Sequence, residues 1–173
     1  MVVSGLFAGI GGIELGLARS GHECALLCEN DAAANRVLDE RFRLADRRND
    51  VRTLRSVPME TTLLTAGFPC QDLSQAGRPA GIRGENSGLI THALRLLRNR
   101  KISWVLFENV PFMLRLDGGS ALRYVIDELE RLGYAWAYRV VDTRAFGLPQ
   151  RRERVYLLAS LHDDPRAVLL SED

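Results

Sequence analysis

The chain has 173 residues, 46% of them hydrophobic and 26% charged, with a formal net charge of +1. A domain of this size buries roughly 70% of the surface its unfolded chain exposes, so it needs no staple. The small net charge excludes a general field that would draw the chain onto a polyanion, no run reaches the ~18 apolar residues of a membrane span, and the scattered Cys24, Cys28 and Cys70 fit neither a disulfide framework nor zinc-knuckle spacing.

These features predict a single cytoplasmic domain over residues 1–173 with no metal and no membrane association. Lys101 is the only lysine, so nearly all positive charge is arginine. That suits bidentate phosphate and base contacts and equally suits a GC-rich genome.

In chain order, residues 2–7 read as a buried strand, followed by Ala8-Gly9-Ile10-Gly11-Gly12 and a helix over residues 13–20 closed by Gly21. A second strand over residues 23–28 ends in Glu29-Asn30-Asp31. Asp31 is placed to cap a helix whose Ala34, Val37, Leu38 and Phe42 fall at helical spacing. Residues 49–54 read as a short strand or turn, and residues 63–66 as a strand running into Gly67-Phe68-Pro69-Cys70. Residues 71–86 are polar, rich in Gly and Arg and without period, hence a long loop.

Ser87 is placed to cap a helix carrying Leu89, Ile90, Ala93, Leu94 and Leu97 on one face. Residues 102–107 form an apolar strand ending at Glu108-Asn109-Val110-Pro111. Leu122, Val125, Ile126, Leu129 and Leu132 mark a helix stopped by Gly133, and strands near residues 135–141 and 155–161 follow. Apolar strands alternating with helices predict an α/β domain, a doubly wound and mostly parallel Rossmann-like sheet covered on both faces.

Every unusual cluster falls at a strand end, where open α/β sheets bind ligands. Phe7 to Gly12 lets the backbone turn sharply and approach a ligand, and Glu29, some twenty residues on, suits a ribose diol. Together they fit any nucleoside cofactor, NAD included. Cys24 and Cys28 read as small core residues. Cys70 differs, because it follows proline at a strand end and opens a loop containing Arg78 and Arg83, an environment that favours an exposed thiolate. Glu108-Asn109-Val110 and Gln150-Arg151-Arg152-Glu153-Arg154 are each ambiguous alone.

In this order the four clusters resemble the successive sequence blocks of the DNA cytosine-5 methyltransferase family, over residues 4–161, with Gly67 to Gly77 the most specific stretch. The resemblance implies methyl transfer from S-adenosylmethionine to C5 of a cytosine flipped out of double-stranded DNA. Cys70 would be the nucleophile at C6, Glu108 the proton-bearing partner of N3, Arg154 the donor to O2, and Arg152 a support of the nucleophile loop.

It also implies that Phe7, Gly9 and Gly11 contact the cofactor, that Glu29 takes the ribose hydroxyls and that Asp50 meets the adenine amino group. Residues 71–86 resemble the loop that closes over the flipped base, with Gln71, Ser74, Gln75, Arg78 and Arg83 at phosphates and grooves.

Members of the family continue into a target-recognition region and two further blocks, none of which is found within these 173 residues. The expectation is a truncated chain or one subunit of a split enzyme that needs a second polypeptide, in a restriction-modification setting. Two alternatives stand beside it: a tRNA cytosine-5 methyltransferase, disfavoured by Gly67-Phe68-Pro69, and an inactive remnant that binds cofactor or a partner.

Overall fold

A computed structural model describes residues 1–69 and 88–171. β1 (Val2–Leu6), β2 (Glu23–Cys28), β3 (Asp46–Arg48), β4 (Leu63–Gly67), β5 (Trp104–Asn109), β6 (Ala135–Asp142) and β7 (Glu153–Ser160) form one sheet in the order β3-β2-β1-β4-β5-β7-β6. The pairs among β1 to β5 are parallel. β7 runs antiparallel to both neighbours. The doubly wound, mostly parallel sheet read from the sequence is therefore present, with an inserted antiparallel strand that the pattern did not reveal. The reason is length. Only residues 143–152 separate β6 from β7, too few for the crossover that a parallel neighbour requires.

Helices α1 (Gly12–Arg19), α2 (Ala32–Arg41), α3 (Ile90–Asn99), α4 (Ser120–Arg131) and α5 (Pro165–Leu169) dress the sheet. Two hydrophobic clusters lie on its opposite faces. The larger joins Leu6, Leu64, Val105 and Leu157 to Ile90, Leu94 and Leu97 of α3 and to Val125 and Leu129 of α4. The smaller joins Leu27 to Leu38 and Phe42, with Leu15 of α1 against it. Leu26 and Leu27 fall in different clusters, as the two-residue period of a strand demands.

Local signals explain most boundaries. The Asp31 carboxylate accepts from the Ala34 N–H at 2.7 Å, capping α2 as expected. Gly21 and Gly133 both adopt positive φ, +83° and +90°, where helices end on glycine. The expected strand-or-turn at residues 49–54 is a turn, and β3 lies just ahead of it. Ser87, read as a helix cap, lies outside the described residues, and α3 begins after Leu89. Among the described residues no helix is long and apolar enough to cross a membrane.

Candidate active site

A cleft of about 320 Å³ opens where β1, β2 and β4 end, lined by Phe7, Cys28, Glu29, Asn49, Asp50, Arg52, Gly67, Pro69 and Leu89 among others. The chain leaves β1 for β2 and β3 and returns as β4, so β1 and β4 diverge into a crevice. That is the topological switch point at which such sheets bind ligands.

The loop after β1 is shaped by its backbone. Phe7 sits at φ +54°, an uncommon conformation for an aromatic residue and one that concentrates at functional sites. Gly9 follows at φ +54° and Gly11 at φ +80°. The Gly9 N–H donates to Glu29 Oε2 at 2.7 Å, and the N–H groups of Asn30 and Asp31 donate to Glu29 Oε1 at 2.8 Å each. Glu29 therefore ties the glycine loop to the start of α2. A carboxylate has about four acceptor positions, which leaves it one for a ligand in the cleft.

Gly11 does a different job. It is buried behind the loop, and a Cβ there would stand 2.5 Å from Phe42 and 2.9 Å from Leu38. Its bareness lets α1 and α2 close together, a packing role that stands beside the cofactor contact expected of it.

Asp50 occupies the turn after β3. Its carboxylate accepts from the Arg52 N–H at 2.8 Å and pairs with the Arg52 guanidinium at 2.8 Å. These hydrogen bonds hold its pKa below the usual aspartate range. Cys28 lines the same cleft, but burial, aided by the carboxylates of Asp50 and Glu29, pushes its thiol up to about 11. Cys24 is pushed up to about 12, chiefly by burial and then by Glu14. Both stay protonated near neutrality and are poor nucleophiles.

The second half of the site begins where the cleft ends. Phe68 is buried edge-on to Phe107, with ring centroids 5.7 Å apart. Its carbonyl accepts from the Asn109 side-chain amide at 3.0 Å, so β5 fixes the backbone two residues before Cys70. Sequence reasoning assigned Asn109 no task. Its only signal was its place between Glu108 and Val110. Cys70, Gln71, Ser74, Gln75, Arg78 and Arg83 all lie outside the described residues.

Gly67 of β4 faces Glu108 of β5 in register. Arg154 reaches across from β7 to Glu108, its Nε 2.9 Å from Oε1. A Cβ on Gly67 would stand 3.3 Å from Glu108 Oε2. The acid thus spends one oxygen on Arg154 and keeps the other over a glycine that also lines the cleft. Arg152 is exposed beside this group, and its carbonyl accepts from the Thr143 N–H at 3.0 Å. Phe7, Glu29, Asp50, Glu108 and Arg154 are thereby gathered at one edge of the sheet, while Gly11 is set behind it.

Residues 1–171 match the family described as C-5 cytosine-specific DNA methylase. The type II methyltransferase M2.BsuMI of Bacillus subtilis is 50% identical over 177 residues, a match covering all of this chain and 45% of that protein. M.BanI of Aneurinibacillus aneurinilyticus is 36% identical over 96% of this chain and 40% of its own length. The chain spans less than half the length of these relatives. Among solved structures, S. pombe Dnmt2 methyltransferase superposes with a TM-score of 0.74 at 22% identity, over 95% of this chain and 52% of that one. The Entamoeba histolytica methyltransferase EhMeth gives 0.73 at 17%, over 94% and 53%. At those identities the structures speak for the fold alone. The match across residues 1–171 places the family beyond that: the chain belongs to the C-5 cytosine-specific DNA methylases.

Proposed function

We propose that this chain carries the catalytic half of a DNA cytosine-5 methyltransferase, moving a methyl group from S-adenosylmethionine to C5 of a cytosine flipped out of duplex DNA. The observation that supports it most is the contiguity of two sites across Gly67: a nucleoside-sized cleft on one side and an acid–guanidinium pair on the other.

The cleft suits the methyl donor. Phe7, Val51 and Leu89 offer apolar surface to adenine, Glu29 has an acceptor position left for the ribose hydroxyls, and Asp50 offers a carboxylate to the adenine amino group. S-adenosylmethionine supplies an electrophilic methyl on sulfur. The protein's task is to make C5 nucleophilic. The Cys70 thiolate attacks C6, forming an S–C bond and moving the ring electron pair toward C5. Glu108 holds a proton at N3 and Arg154 donates to O2, so the charge that develops in the ring is met by fixed groups. Once C5 is methylated, loss of its proton regenerates the double bond and expels Cys70. Flipping the base costs a few kcal/mol, which contacts from residues 71–86 help to offset.

Target reading is assigned to further polypeptide, on the same or a second chain. An apolar groove of about 340 Å³ bounded by Leu17, Leu63, Leu106, Leu158 and Val168 supports a partner surface on that face. The relatives are type II methyltransferases, so the setting we infer is the modification half of a bacterial restriction-modification system, in the cytoplasm.

The test is incubation with S-adenosylmethionine and duplex DNA containing 5-fluorocytosine, for the chain alone and joined to the remaining segment of M2.BsuMI. Fluorine blocks loss of the C5 substituent, so an adduct accumulates that denaturing gels and peptide mapping place on Cys70. No adduct in either form, or an adduct elsewhere, overturns the mechanism.

A further inference from the structure

Residues 49–62, between β3 and β4, carry one wall of the cleft yet contain neither helix nor strand. What holds them is α3. Val51 and Leu54 bury their side chains in the larger core, and their carbonyls accept from Arg95 Nη2 at 3.2 and 2.7 Å. At the far end of the helix Arg100 donates to the carbonyls of Pro58 at 2.6 Å and Thr61 at 2.8 Å, and to that of Met59. Within the turn the Thr53 N–H and hydroxyl return to the Asp50 carbonyl at 3.2 and 3.0 Å. Asp50 and Arg52, which line the cleft, therefore stand on a turn whose buried ends, Val51 and Leu54, are both held by one guanidinium.

Arginine is a costly choice for tying two neutral carbonyls. Among the described residues its Nε is buried with no hydrogen-bond partner, a state that native proteins usually avoid. A terminal amino group on a planar guanidinium spans two carbonyls in a fixed direction. A lysine ammonium is a point charge on a flexible stem and does not reproduce that.

We propose that Arg95 is a positioning residue for the cofactor cleft: by fixing the 51–54 turn it sets where the Asp50 carboxylate meets the adenine edge, and so it governs adenine selectivity. This rests on the reading of the cleft as the S-adenosylmethionine site with Asp50 at the amino group.

The experiment titrates the full chain by calorimetry with S-adenosylhomocysteine and with S-inosylhomocysteine, in which a carbonyl replaces the amino group. The parent protein binds the adenine ligand more tightly. Arg95→Met weakens it by up to ~10²-fold, the scale of a misplaced site, and brings the ratio of the two affinities toward one. Arg95→Lys recovers part of both and serves as the readout if the methionine variant does not fold. A folded variant with an unchanged ratio overturns the proposal, because a mere loop staple changes stability without changing selectivity. Failure of the underlying reading looks different: the parent binds neither ligand, or does not distinguish them. Hydrogen exchange then decides for Arg95. Faster exchange at the amides of residues 50–54, with α3 still protected, supports the anchoring of the turn on which the positioning role depends, and unchanged exchange refutes both.

Discussion

Gly9 and Gly11 lie two residues apart in one loop, both at positive φ, yet alanine at the two positions should cost very different amounts. At Gly9, φ is +54° and a new Cβ meets nothing within 4 Å among the described residues, so the cost is the left-handed backbone alone, about 1–2 kcal/mol. At Gly11 the same backbone cost applies at φ +80°, and the Cβ also lands 2.5 Å from Phe42 and 2.9 Å from Leu38. Those side chains sit in the smaller core, and forcing extra volume into packed apolar side chains costs roughly 1–3 kcal/mol more. Gly11→Ala should therefore lose about 2–5 kcal/mol and Gly9→Ala about 1–2. For a chain of this length each kcal/mol lowers the melting temperature by roughly 2–4 °C. Urea unfolding followed by circular dichroism measures both variants, and the difference between them isolates the packing contribution. Equal losses would refute the assignment of Gly11 to helix packing.

Gly67→Ala separates stability from catalysis: β4 is extended and, among the described residues, the new Cβ meets only Glu108 Oε2 at 3.3 Å and the Phe7 carbonyl at 3.8 Å. Stability should hold within about 1 kcal/mol, since a strand glycine gains from the loss of chain entropy, while adduct formation on 5-fluorocytosine DNA slows ~10-fold or more; parent-like trapping would show that Glu108 Oε2 is not used. Glu14→Gln probes a buried acid, 2% exposed, with Oε1 accepting from the Thr65 hydroxyl at 2.6 Å and Oε2 unpartnered among the described residues. Burial raises its pKa above the ordinary value of 4.5. Below that value folded and unfolded states both hold the proton and no penalty exists. As pH rises through it the unfolded chain ionises first, so the parent loses stability until the folded pKa is passed. The melting temperature of Glu14→Gln relative to the parent should become more favourable as pH rises above 4.5, and an offset that does not change with pH would show that Glu14 does not titrate as a buried acid.

What was legible in the sequence was whatever acts locally. Asp31 caps α2 through an N–H three residues away, and Gly21 and Gly133 end helices through their own φ; such signals survive without tertiary context. β3 was not read at all, because Asp46–Arg48 is a short polar edge strand with no apolar rhythm to betray it. α5 was missed although its signals were present: the Asp164 carboxylate accepts from the Arg166 N–H at 2.9 Å, with Pro165 at the first helical position. The task of Asn109 was not readable, because its partner is a backbone carbonyl 41 positions away. The burial of Glu14 was hidden for the same kind of reason, since it depends on Gly5 and Thr65 of two different strands lying bare beneath α1. Of the site, Glu108 and Arg154 were named from motif order and do meet in space, whereas Cys70 lies outside the described residues.

Strand order explains why the two halves of the site belong together. With β1, β4 and β5 as consecutive neighbours, the carboxyl end of β4 stands between the loop after β1 and the acid at the end of β5. Gly67 occupies that position, bordering the cleft on one side and Glu108 on the other. On the proposed reading, a methyl group passing from the cleft to a base held at Glu108 crosses this point. A side chain there would sit in the path and push the carboxylate, so the smallest residue is required on both counts. On that reading, glycine at the end of β4 serves reaction geometry as much as backbone freedom, and the buried Asn109 amide, by holding the Phe68 carbonyl at 3.0 Å, fixes the backbone just past the strand that borders both halves of the site.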